Sequence, residues 1–150
     1  MSRPWLFLHL LGFTLWLGGG IASMVIGIAA KREDRSGLGA VVRSQASLTK
    51  IALAPGALLT VLSGLILTFQ VGGGDMAGFS FWLVTMQGAG IIAALLTLLI
   101  SLPTATRLGR LDPTGEGARY FDELRARQRI VASISGTLGL IALLAGAMVR

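Results

Sequence analysis

The chain has 150 residues, of which 53% are hydrophobic and 13% charged, with a net charge of +6 and no cysteine. That length allows one domain, and a charged share about half the ~25% of soluble domains, with a mean hydropathy of +0.76, excludes an ordinary soluble fold, because a short chain leaves much of its surface exposed. The missing cysteine removes disulfides, thiolate metal sites, Fe–S clusters and cysteine nucleophiles together.

The first apolar run covers residues 4–30 and predicts a helix over 4–31. It is far longer than the roughly 7–15 residues of a signal-peptide core. It also ends at Ala29 and Ala30 without a clean cleavage pattern, so it is expected to be retained as a membrane helix. A charged segment follows, Lys31-Arg32-Glu33-Asp34-Arg35.

The second run predicts a helix over 38–71. It carries Ala52, Gly56, Thr60, Gly64 and Thr68, a small residue at every fourth position. Such a stripe lies on one helix face and lets backbones approach closely. Close approach is what holds helices together in lipid, where hydrophobicity cannot. Pro55 falls inside this run and is expected to kink it, freeing a carbonyl one turn earlier. Residues 72–78 are glycine-rich, hold no basic residue and read as a turn.

The third run predicts a helix over 79–110, with Ala89, Ala93, Thr97 and Ser101 as its small face. The stretch after it is basic, with Arg107, Arg110, Arg119, Arg125, Arg127 and Arg129. Asp112-Pro113-Thr114 reads as a turn and a helix start. The fourth helix is therefore placed at 114–149, with Glu116–Arg119, Asp122–Arg125 and Glu123–Arg127 as neighbours on its exposed turns. Its small face is Ser135, Gly139, Ala142 and Gly146, as Gly19, Ser23 and Gly27 are for the first helix.

Four runs of this length, uncharged apart from Lys50 near the start of the second, predict an all-α membrane protein, a bundle of four transmembrane helices. Basic residues concentrate in loops one and three, which the positive-inside rule places in the cytoplasm. Both termini then lie outside, an N-out/C-out topology. The same distribution accounts for the positive charge without a nucleic-acid partner, since no basic–aromatic interleaving marks a nucleic-acid groove. The expected partners are the lipid bilayer and other membrane subunits, or a second copy meeting it through the small-residue faces.

No span holds a carboxylate, which counts against an ion-coupled transporter. His9 is the only histidine. It lies roughly 8 Å into the first helix at about 1.5 Å per residue. Gly12, Phe13, Trp16, Gly19 and Gly20 share its face, and small residues beside large aromatics leave room for a flat ligand. In the N-out topology Met86 lies about 10 Å in from the same side, at nearly the same depth. His with Met is a known pair of haem axial ligands and also suits Cu(I). The candidate cofactor-binding residues are therefore His9, Met86 and Trp16. The candidate metal ligands are His9, Met86 and Met148, with Met76 also toward that side. A hydrogen-bonded histidine and gap-filling methionines are the alternative. Trp5 and Trp82 fit an interfacial belt.

The opening His9-Leu-Leu-Gly12-Phe-Thr-Leu-Trp16-Leu-Gly18-Gly19 resembles that of small bacterial four-helix membrane proteins. These are related to the copper-resistance protein D family and the HemJ-type protoporphyrinogen oxidases. The best match looks like a predicted integral membrane family of unknown function related to these two. Ala54-Pro55-Gly56, Ser63-Gly64-Leu65 and the closing Ala145-Gly-Ala-Met148 resemble the same group. The resemblance implies a bacterial cytoplasmic (inner) membrane protein with haem b held through His9. It departs from the oxidases in helix three, where Trp82-Leu83 is followed by Val84, Thr85 and Met86 with no lysine, and before helix four, where Arg127-Gln128-Arg129 replaces an Asn-Glu signature. The expectation is thus an accessory or structural subunit of a larger membrane complex, more readily non-enzymatic than enzymatic. A haem-dependent oxidoreductase and a copper-handling protein are the alternatives.

Overall fold

The computed structural model describes residues 3–72 and 80–149. These are all-helical, and four helical stretches, Arg3–Arg32, Arg35–Gln70, Phe81–Leu108 and Ala118–Met148, are long and apolar enough to cross a membrane. The segments are α1 (Arg3–Ala29), α2 (Leu38–Leu48), α3 (Ala54–Gly72), α4 (Phe81–Leu95), α5 (Leu102–Leu108) and α6 (Ala118–Met148). The glycine-rich stretch after α3, including Asp75 and Met76, lies outside the described residues.

Two of the spans are continuous helices with a wide turn built in. A π-helical turn at Thr49–Leu53 joins α2 to α3, and another at Leu96–Ser101 joins α4 to α5. Each ends two residues before a proline, Pro55 and Pro103. A helical proline has no N–H to donate, and its ring collides with the carbonyl four residues back, here Ile51 and Leu99. Widening the preceding turn moves that carbonyl aside. Proline inside the second span therefore appears as a wide turn, and Pro103 repeats the device in the third.

The bundle is two helix pairs. α1 packs chiefly on α3, and α4 chiefly on α6. Small residues explain the first pair. A Cβ on Gly56 would sit 2.7 Å from the Gly12 carbonyl oxygen and 2.7 Å from the Trp16 nitrogen, so the two backbones touch. Gly19 receives the Leu53 side chain, and Gln45 Nε2 donates to the Ser23 carbonyl at 2.9 Å. Between the pairs, Trp16, Leu53, Ala57, Ala93 and Ala94 form a buried cluster at mid-bundle. A second cluster closes the charged end, with Phe121 fully buried among Ala30, Leu38, Val42, Leu108 and Leu124.

Mid-bundle also holds a satisfied polar knot. Trp16 Nε1 donates to Thr97 Oγ1 at 3.2 Å, and Thr97 and Ser135 hydroxyls lie 2.9 Å apart. Both hydroxyls reach the Ala93 carbonyl, at 2.9 and 3.1 Å. Thr97 belongs to the second π-helical turn, so the turn that accommodates Pro103 also carries the knot's central residue.

The charged end departs from expectation in two ways. α6 begins at Ala118, not near Thr114. Asp112 Oδ1 instead accepts from the Thr114 amide and hydroxyl, at 2.8 and 2.7 Å, which commits Thr114 to a turn. The expected intrahelical ion pairs are also replaced. Asp122 pairs with Arg35 at 2.9 Å, and Glu123 pairs with Arg119 at 3.3 Å. Arg35 Nε further donates to the Pro113 carbonyl at 2.7 Å, tying the two charged loops together. Loop-to-loop contact offers Asp122 a partner that periodicity along one helix does not show.

The same two hydrogen bonds hold the exposed Asp112 carboxyl below its ordinary value. Because the folded value is depressed, the turn's contribution is present above the unfolded aspartate range and is lost as pH falls through the folded value. An NMR pH titration should show the Thr114 amide shift moving with a midpoint below that of ordinary aspartate. A midpoint at the ordinary value would contradict the turn.

Candidate functional site

At the end of the bundle opposite the charged loops, the two helix pairs part. A cavity of about 340 Å³ lies between them, within the size range of small-molecule sites. α1 contributes His9, Phe13 and Trp16, and α3 contributes Thr60 and Gly64. α4 contributes Met86 and Gln87, and α6 supplies a wall of small residues that includes Ala142 and Gly146. The cavity wall is apolar apart from His9, Trp16, Thr60 and Gln87.

His9 is held rather than free. Its Nδ1 lies 2.9 Å from the Thr60 carbonyl oxygen. A carbonyl only accepts, so Nδ1 carries the proton in this bond. Nε2 then bears the lone pair in the neutral ring. Among the described residues no side chain or backbone group hydrogen-bonds Nε2. The ring fits there because residue 64 is glycine, where a Cβ would sit 2.9 Å from His9 Cε1. Ser63 Oγ is a more distant neighbour of Nδ1 at 3.4 Å, and its hydroxyl donates to the Leu59 carbonyl. Thr60 Oγ1 donates to the Gly56 carbonyl at 2.7 Å, so the helix turn that receives His9 is itself tied down.

The opposite side is arranged in the same manner. The Met86 sulfur packs on Gly146, where a Cβ would sit 3.0 Å from it. Gln87 Nε2 donates to Thr68 Oγ1, which donates to the Gly64 carbonyl at 2.9 Å. This chain bridges α4 to α3 beside the cavity. Trp16 forms the cavity floor and is only 7% exposed.

Of the candidate residues, the structure brings His9, Met86 and Trp16 to one cavity, from two different helix pairs. It does not bring Met148, which stands half-exposed near the end of α6 and outside the lining. Gly20, expected on the His9 face, meets open space. No group of three or more His, Cys, Asp or Glu residues gathers among the described residues.

No family model, curated protein or solved structure matches the chain.

The alternative of a hydrogen-bonded histidine is what the structure shows, with a backbone carbonyl as partner. That the carbonyl is that of Thr60 was not legible, since every residue has a carbonyl and none advertises it. The small-residue stripe did hold the signal for the rest. Thr60 and Gly64 are on it, and both turn out to receive His9.

A haem iron can be tested against these residues. The fixed Nδ1–H···O=C bond is the usual outer contact of a metal-bound imidazole, and it leaves Nε2 in the ligating form. A thioether, which Met86 offers from the other helix pair, is an established companion of histidine on haem iron. Apolar walls suit a porphyrin face. On these counts His9 and Met86 fit the group, and the iron would supply one-electron redox chemistry there.

Proposed function

We propose that this chain is an integral four-helix protein of a bacterial cytoplasmic membrane, with both termini outside, that binds haem b through His9 and serves as an accessory subunit of a larger membrane complex. The observation that carries this is the single histidine at the cavity, its proton committed to the Thr60 carbonyl and its second nitrogen without a hydrogen-bond partner among the described residues. Met86, from the facing helix pair, is the second ligand in this reading. Trp16 closes the floor of the cavity that would hold the group. His9 is the one titratable residue lining the cavity among the described residues, which suits holding a group that carries electrons better than proton-transfer catalysis. Exposed apolar faces on all four spans leave surface for lipid and for partner helices.

The test is a visible spectrum of the protein purified in detergent, oxidised and dithionite-reduced. Wild type is expected to show a sharp reduced band. His9→Ala is expected to lose it, and Met86→Ala is expected to keep haem but shift the band and lower the potential, because a thioether ligand raises it. A colourless wild-type preparation that also takes up no added hemin rejects the reading. Copper found by elemental analysis in its place would favour the copper alternative, with His9 and Met86 alone as cavity ligands. Porphyrinogen oxidation above background would favour the enzyme.

A further inference from the structure

The charged end holds a second cavity, of about 380 Å³, between the α4–α5 span and the first turns of α6. Its lining includes Leu99, Pro103 and Arg107 from one side and Tyr120, Glu123 and Arg127 from the other. Two cations from different helices therefore face one space.

Neither of these arginines is in use. Arg35 and Arg119 have carboxylate partners, at 2.9 and 3.3 Å, whereas Arg107 and Arg127 make no hydrogen bond or ion pair among the described residues. The carboxylate in the lining, Glu123, is the one paired with Arg119. The cavity is thus positive, with two planar donor forks free to take an anion. Guanidinium forks match phosphate oxygens two at a time.

Beyond the arginines the margin of the cavity is apolar. Leu99 is 69% exposed on the span's flank. It lies eight residues before Arg107, about 12 Å along the helix axis. Pro103 lies between them. Gln128 Nε2 donates to Ser101 Oγ at 2.6 Å, so Arg127 stands about level with Pro103. The cationic part of the lining runs from Arg107 to there, and Leu99 is the apolar margin beyond it. Tyr120, half-exposed, is at the Arg107 side, where amphipathic rings favour a membrane boundary. A free phosphate would use the arginines and leave the apolar length idle. A zwitterionic lipid would bring its own cation against them. An anionic phospholipid matches both the cations and the apolar margin.

We infer that this groove binds one anionic phospholipid, with its phosphate against Arg107 and Arg127 and an acyl chain along Pro103 and Leu99. The inference rests on the membrane placement proposed above and is independent of the haem reading, since the two cavities share no residue. Basic pockets between membrane helices are a recurrent way of taking such headgroups.

The full-length chain in mild detergent, offered phosphatidylglycerol and phosphatidylcholine of equal chain length, is the test, with bound lipid counted by native mass spectrometry. Wild type is expected to keep one phosphatidylglycerol with about ten-fold or greater preference. Arg107→Gln with Arg127→Gln should reduce the preference to near unity. Arg32→Gln with Arg110→Gln, which removes the same charge outside the cavity, should leave it intact. Arg107 and Arg127 are exposed and make no pair among the described residues, so their loss orphans no buried group, and Arg127→Gln alone should give the same direction at smaller size. An equal loss in both double variants would reduce the effect to diffuse attraction and overturn the site. Retention in the Arg107/Arg127 variant, or displacement of the lipid by inorganic phosphate at equal concentration, would overturn it as well.

Discussion

Gly56→Ala is expected to destabilise the bundle by about 1–3 kcal/mol or more, and Gly56→Leu to prevent assembly of α1 on α3. The added Cβ would sit 2.7 Å from two backbone atoms, the Gly12 oxygen and the Trp16 nitrogen. Backbone cannot swing aside as a side-chain tip can, so the helices must separate. Separation is costly here because dispersion contact is the chief attraction between helices that lipid solvates as readily as they solvate each other. It would also carry Trp16 away from Thr97 and move the Thr60 carbonyl from His9. Gly18 and Gly136 are the internal controls, since a Cβ at either meets nothing within 4 Å. At those positions alanine should be neutral or stabilise by up to about 1 kcal/mol through helix propensity. Unfolding in mixed micelles, followed by circular dichroism, measures all of these. Equal effects at Gly56 and Gly18 would show that close approach is not what joins the pair.

Trp16→Ala carries the second large effect. The ring is buried at the junction of both helix pairs. Its removal should cost toward the low end of the about 3–5 kcal/mol seen in aqueous cores. The reduction follows from the solvent, because hydrocarbon rather than water receives apolar surface when the bundle opens. Trp16→Phe separates the two contributions of the residue. It keeps most of the packing and deletes the N–H that reaches Thr97, and interhelical hydrogen bonds in membranes average only about 0.6 kcal/mol. The expected order is a large loss for alanine and a small one for phenylalanine. A phenylalanine variant as unstable as the alanine one would put the polar knot, not the ring, in charge of mid-bundle stability. The same pair tests the cavity, since Trp16 is its floor, and the alanine variant should widen it toward the buried cluster below.

The four spans were legible because an uncharged run of this length is a signal that needs no partner to interpret. The small-residue faces were legible for the same reason, and Gly56, Thr60 and Gly64 make the contacts that their spacing implies. What depended on two segments meeting was not legible. Arg35 taking Asp122 and the Pro113 carbonyl is invisible until the charged loops are brought side by side. The start of α6 was misplaced by the same kind of local competition, in which the Asp112 side chain captures Thr114 before the helix can. Pro55 is legible as a disturbance, but a helix can absorb a proline by a kink or by a wide turn, and the residues alone do not choose between the two. The structure takes the wide turn there and again before Pro103. At the candidate site, His9 stands out as the only histidine, and Met86 by a depth that matches it in the N-out topology. Their common cavity required the two pairs to part at that end, which no spacing within a single helix encodes.

The cavity beside His9 has exposed leucine and isoleucine at its rim, Leu10 at 55%, Ile91 at 37% and Leu143 at 47%. In a bilayer that rim faces acyl chains rather than water. Whatever occupies the space would then arrive by sideways diffusion within the leaflet, and its loading would follow its solubility in fat rather than its concentration in the surrounding fluid. Reconstitution should therefore supply any added ligand dissolved in the lipid.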